Sequence, residues 1–161
     1  MGNWTNEDGL QVHFGEQGTA RVGTDMAVRS RMVADLRWDD LPDFKADLDN
    51  DGTNDGYSGE DASIPAGSYI VDAYIVVETA FAGGTSINVG FYQEDGTVID
   101  ADGVDAAVTT AALGANKAVA CDGALVGGTA TVGANDAYLR VVPTGTFTAG
   151  KAKLFIEYIK D

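Results

Sequence analysis

The sequence predicts an all-β chain folded as a single antiparallel β-sandwich, with an extended N-terminal segment and at most one short helix. Three observations predict it. The 161 residues carry 21 glycines and three prolines, with alanine, valine and threonine abundant, which is the composition of short strands joined by many glycine turns. Several stretches alternate apolar and polar residues with the period of two that a half-buried strand requires. The length suits one domain, and a chain of that size buries roughly 70% of its unfolded surface, enough for a core without disulfides. Cys121 is the only cysteine, so no intrachain disulfide is available. Within the run AVAC it reads as a small buried hydrophobe.

Residues 1–28 read as an N-terminal arm or edge hairpin, and residues 29–161 as the sandwich. In the arm, LQVHF alternates between turn signals: Leu10, Val12 and Phe14 on one side, Gln11 and His13 on the other. SRMVADLRWDDL is a clearer strand, with Met32, Ala34, Leu36 and Trp38 on one face and Arg31, Val33, Asp35 and Arg37 on the other. Residues 39–63 form a long acidic, glycine-rich loop. In SYIVDAYIVVE, Tyr69, Val71, Ala73, Ile75 and Val77 alternate with Ile70, Asp72, Tyr74, Val76 and Glu78, and both sets carry apolar groups. That pattern predicts a central strand with a second contact surface. SINVGFY directs Ile87, Val89 and Phe91 inward, EDG at 94–96 signals a hairpin, and TVID returns. DGVDAAVTTAALGAN is the one stretch with helix signals: Asp102 or Asp105 as cap, alanines for propensity, Gly114 to end it. Residues 117–136 read as short strands and turns. AYLRVV and KAKLFIEYI close the chain as a hairpin, with Ala152, Leu154, Ile156 and Tyr158 on one face and Lys153, Phe155, Glu157 and Ile159 on the other. About eight short strands in one domain suggest a sandwich of jelly-roll-like order.

A formal net charge of −15 excludes several function classes. Nucleic-acid binding needs a basic face to displace counterions, and an anionic membrane surface needs the same. The opening residues lack the basic start and apolar core of a signal peptide, and no stretch approaches the length of a membrane helix. The charge favours binding to cations or to a basic partner surface.

The densest acid lies in DLDNDGTNDGYSGED. Asp47, Asp49, Asp51 and Asp55 with Gly52 match positions one, three, five, nine and six of a calcium loop, and calcium is the cation that such all-oxygen donors suit. The twelfth position is Ser58, where a bidentate carboxylate belongs, and no amphipathic helices flank the loop. A solvated acidic loop is the alternative. His13 is the only histidine, so a zinc site lacks a second imidazole and any catalytic triad has one candidate base, placed on the polar side of a short strand. The glycine-rich AGGTS and GGTATVG lack the Lys-Ser or Lys-Thr of a phosphate loop. No residue set points to catalysis. The tyrosines and Trp4 and Trp38 suit core or interface packing, with sugar stacking as the alternative.

Four stretches taken together, NWTNEDGLQVHFG, IPAGSYIVDAYIVVETAF, DGVDAAV and TGTFTAGKAKLFIEYI, resemble the capsid decoration, or cement, proteins of tailed bacteriophages. The likeness runs over both ends and the middle of the chain and rests on framework strands and turns, without a site motif. It implies a jelly-roll-like, non-enzymatic structural protein made in the host bacterial cytoplasm. It further implies a homotrimer on the outer head surface, clamping neighbouring units of the major capsid protein and needing no cofactor. By position, the segment from Gly2 to about Val28 would be the arm or the capsid-facing edge. A phage tail or fibre component, and a calcium-dependent carbohydrate-binding sandwich, are the alternatives. The two-faced strand at 69–78 and the last strand, with Phe155 and Ile159 opposite its core side, are the expected contact between copies.

Overall fold

The structure, a computed structural model, describes residues 2–5, 11–14, 29–39, 63–128 and 130–160. Strands β1 (Gly2–Thr5) and β2 (Gln11–Phe14) pair antiparallel as a two-stranded ribbon, Gly2 opposite Phe14 and Thr5 opposite Gln11. The sandwich is built from β3 (Arg29–Arg37), β4 (Ser63–Ile64), β5 (Ser68–Ala82), β6 (Ser86–Tyr92), β7 (Val98–Thr109), β8 (Ala118–Ala120), β9 (Ala137–Thr144) and β10 (Ala149–Lys160).

Its topology follows from nested antiparallel pairs. β3 pairs with β10, β4 with β9, β5 with β8 and β6 with β7, like one long hairpin. Rolling that hairpin brings β5 beside β10 and β6 beside β9. The result is two four-stranded antiparallel sheets, β3-β10-β5-β8 and β4-β9-β6-β7, in jelly-roll order. The predicted sandwich is therefore the observed one, and no helix occurs among the described residues.

Alternation fills the space between the sheets. Met32, Ala34 and Leu36 from β3, and Ala152, Leu154 and Ile156 from β10, are buried against Ile87, Val89 and Phe91 of β6 and Leu139 and Val141 of β9. These are the inward sets that the period of two predicts, except that Trp38, beyond the end of β3, is exposed. The EDG turn also forms: Gln93 N–H donates to Thr97 O, Asp95 accepts from Thr97 N–H, and Gly96 takes a φ of 80°, a value glycine adopts without steric cost.

Two expectations are overturned. In β5, Glu157 pairs with Asp72 but Tyr158 pairs with Ile70, so Val71 is an extra residue in a β-bulge. Ile70 and Ala73 are consequently both buried, and the predicted alternation, with Tyr69, Val71 and Ala73 on one face and Ile70 on the other, does not hold there. The stretch from Asp102 to Thr109, expected as a helix, lies in β7. Helix propensity differs by less than about 1 kcal/mol per residue and yields to tertiary burial. Val104 and Val108 are buried in the core, and Asn88 Oδ1 accepts the Ala107 N–H at 2.8 Å, where Ala107 has a φ of 51°. The helical tendency survives as one turn, with Leu113 N–H donating to Thr109 O at 3.1 Å.

Candidate interaction surface

The outer face of the β3-β10-β5-β8 sheet is where apolar and cationic side chains gather. Register places them in rows across the strands. Phe155 lies opposite Val33 on one side and Tyr74 on the other, and Tyr74 lies opposite Ala120, so one apolar row crosses all four strands. The Tyr74 and Phe155 rings stack with centroids 5.0 Å apart, and the Arg31 guanidinium sits 5.8 Å from the Phe155 centroid. One neighbouring row is Arg31, Glu157 and Asp72; the other is Asp35, Lys153, Val76 and Ala118. Among the described residues the exposed large hydrophobics are Val33 (46%), Trp38 (41%), Val76 (36%) and Val98 (55%), and the first three belong to this sheet or the turn that leaves it.

Six of the chain's ten cations, Arg29, Arg31, Arg37, Lys151, Lys153 and Lys160, are on β3 and β10. Lys160 falls on the side of Ala152, Leu154 and Ile156 by alternation, and the other five, on the outer face, each have a carboxylate partner, Arg37 with Asp39 at 3.6 Å. Glu157 accepts from Arg31 Nη2 at 2.6 Å and from Arg29 Nη1 at 3.1 Å. Lys153 Nζ meets Asp35 Oδ1 at 2.5 Å, and Lys151 Nζ meets Glu78 Oε2 at 2.8 Å. The Arg31 bond holds the Glu157 carboxyl below its ordinary range, and the Lys153 bond does the same for Asp35. These pairs are exposed, so they contribute little to stability individually. Their consequence is for contact: Asp35, Glu78 and Glu157 already have cationic partners, so covering them does not strand their negative charge.

Inside the sandwich, Asp105 of β7 is buried and Cys121 is a buried free thiol. Burial, then the nearby Asp122, raises the Asp105 carboxyl above its ordinary range, while the thiol hydrogen-bonded to it opposes that shift. Burial pushes the Cys121 thiol up to about 12, which makes it a packed group rather than a nucleophile, as the AVAC run suggests.

The calcium candidates Asp47, Asp49, Asp51 and Asp55 lie outside the described residues. Among the described residues no group of three or more His, Cys, Asp or Glu side chains is placed to hold a metal ion. His13 is placed only by backbone register, opposite Asn3. Sequence reading marked Phe155 and β5 as carriers of outward apolar surface. It missed Val33 as their neighbour and the ion-pair grid around them, because both depend on which strands become adjacent.

No family model matches the chain, and no curated protein matches it. A solved structure does. A chain of the capsid of Ralstonia phage GP4 superposes with a TM-score of 0.53 over 83% of each chain, at 16% identity. At that identity the likeness is one of fold.

Proposed function

We propose that this chain is a structural protein of a bacteriophage virion, and specifically a decoration or cement protein on the outer surface of the head. The observation that carries the reading is the shared fold with a phage capsid chain over 83% of both chains. The strongly acidic, glycine-rich composition and the outward-facing apolar and cationic sheet support it. The partners are the major capsid protein and further copies of this chain, in a homotrimer.

The mechanism is cross-linking. A protein that binds only the assembled shell stabilises that state by mass action, without any chemical step. Several weak contacts made by one oligomer act together once the first has formed, because the others become intramolecular. The rupture temperature of heads tests this. Heads that lack the protein should burst at a lower temperature, and adding the purified chain should restore the higher value. Unchanged rupture in the presence of saturating protein contradicts the cement role.

A further inference from the structure

We infer that the outer edge of β3 pairs with β3 of a second copy, antiparallel about a two-fold axis at Val33, so that two four-stranded sheets join into one continuous sheet. This goes beyond the homotrimer and the shell attachment proposed above. An isologous pair closes at two copies, so it joins one homotrimer to the next rather than building one.

The four edges of the sandwich's two sheets are unlike each other. β4 has two residues and β8 three. β7 is interrupted by register shifts against β6 and by the left-handed Ala107. Short or bulged edges are poor templates for another strand. β3 is the exception. Its nine residues contain no proline or glycine, and they run against β10 from Arg29 to Arg37 without a register shift. Among the described residues β10 is its one strand neighbour.

Alternation sets which backbone groups β3 turns outward. Trp38 N–H donates to Gly150 O at 3.1 Å, so the residues bonded to β10 are Trp38 and, in steps of two, Leu36, Ala34 and Met32. Arg31, Val33 and Asp35 fall between them and turn N–H and C=O to the outer edge. A straight row of such groups is what a further strand binds.

The side chains select a second copy as the occupant, and one register. With Val33 opposite Val33, Arg31 of each copy lies opposite Asp35 of the other. All of these are backbone-bonded pairs, so hydrogen bonding and charge agree. A two-fold at Ala34 instead opposes Arg31 to Arg37. A two-fold at Met32 opposes Arg29 to Asp35 but sets each Val33 against Arg31. The Val33 register keeps both the ion pairs and the apolar contact, and Val33 is 46% exposed in the single chain. Arg31 and Asp35 already hold Glu157 and Lys153, and an exposed guanidinium and carboxylate have donors and lone pairs for a second partner. The one like-charged pair is Arg29 with Arg37, and each keeps its own carboxylate, Glu157 and Asp39. In a chain of net charge −15 two copies repel over most of their surface, and β3, with three arginines to one aspartate, is where that repulsion is weakest.

Sedimentation of charge-exchanged variants tests the pairing and its register. Arg31→Asp sets acid against acid across the axis, and Asp35→Arg sets base against base, so each alone should weaken pairing about tenfold or more. An equimolar mixture of the two should pair like the parent, because every opposed charge is then of opposite sign. The double variant, Arg31→Asp with Asp35→Arg, should also pair. Both positions are exposed, and circular dichroism with a melting curve confirms that each variant folds. Val33→Pro removes an N–H that β10 does not use, and should leave a folded chain that does not pair. Amide exchange gives a second readout: Arg31, Val33 and Asp35 should be protected in the parent and exchange faster in either single variant. A parent no larger than the single variants, a mixture that stays small, or amide protection equal in parent and variants overturns the inference. The size of the single variants separates the two readings. Trimers would leave the homotrimer standing beside this contact, and monomers formed from a dimeric parent would remove the homotrimer and leave the contact.

Discussion

Phe155 stacks on Tyr74 with ring planes 14° from parallel, on the side of the sheet that faces away from the core. Its chain neighbours Leu154 and Ile156 are fully buried on the other side. Adjacent residues of β10 therefore separate two jobs, holding the sandwich together and presenting a surface. Leu154→Ala should cost about 2–5 kcal/mol, by lost burial and the cavity left behind. Phe155→Ala should cost about 1 kcal/mol in the isolated chain, chiefly the aromatic pair. Denaturant unfolding of the two variants checks the contrast.

The ion pairs of the outer face set a pH dependence whose sign is fixed by direction. Glu157 and Asp35 are held below their ordinary ranges by Arg31 and Lys153, so their contribution is present above the unfolded carboxylate values and is lost as pH falls through the folded ones. Melting temperatures of the parent and of Glu157→Gln should differ most above about pH 5 and converge in stronger acid. A gap that stays constant down to the acid limit would remove these pairs from the account.

Asp105 predicts the opposite slope. Its carboxyl is raised by burial, so the folded state favours the neutral form; stability is highest below the unfolded value and falls as pH rises through the folded one. Asp105→Asn, which keeps an acceptor for the Cys121 thiol, should melt higher than the parent at neutral pH and lose that advantage in acid.

Ala107 holds a left-handed φ of 51° within β7. Glycine adopts that conformation without the Cβ clash, so Ala107→Gly should be neutral or stabilising by up to about 1 kcal/mol, unlike most alanine-to-glycine changes. Removing the acceptor it uses, in Asn88→Ala, should destabilise by about 1–3 kcal/mol if the Ala107 N–H is left without water. Thermal melts of both variants measure the two signs.

The 47–61 segment separates two expectations by one titration. Read as a solvated acidic loop, it predicts the same melting temperature in calcium and in chelator. A saturable rise with calcium, abolished in Asp47→Asn with Asp51→Asn, would make those residues a metal site through the linkage between ligand and folded state.

How far the fold was legible varies by strand for physical reasons. β3, β6 and β10 alternate cleanly, so their inward residues follow from sequence alone, from Met32 and Leu36 to Leu154 and Ile156. β5 does not, because the bulge at Val71 is set by its register against β10 and leaves no local signature. β7 misleads in the other direction: its alanines favour helix locally, while the burial of Val104 and Val108 depends on strands far along the chain. The candidate surface was half legible. Phe155 and Val76 stand out as apolar residues opposite a core set, and Arg31, Val33 and Asp35 share one face of their strand by alternation, but the two groups become one patch only when β3 pairs with β10.

The most direct test of the virion role is co-sedimentation of the purified chain with phage heads that lack it, followed by imaging of those heads. The account predicts saturable binding and regular added density on the outer surface, at positions repeated by the shell's symmetry. Absence of binding at saturating concentration, with the protein folded and assembled in solution, would contradict it.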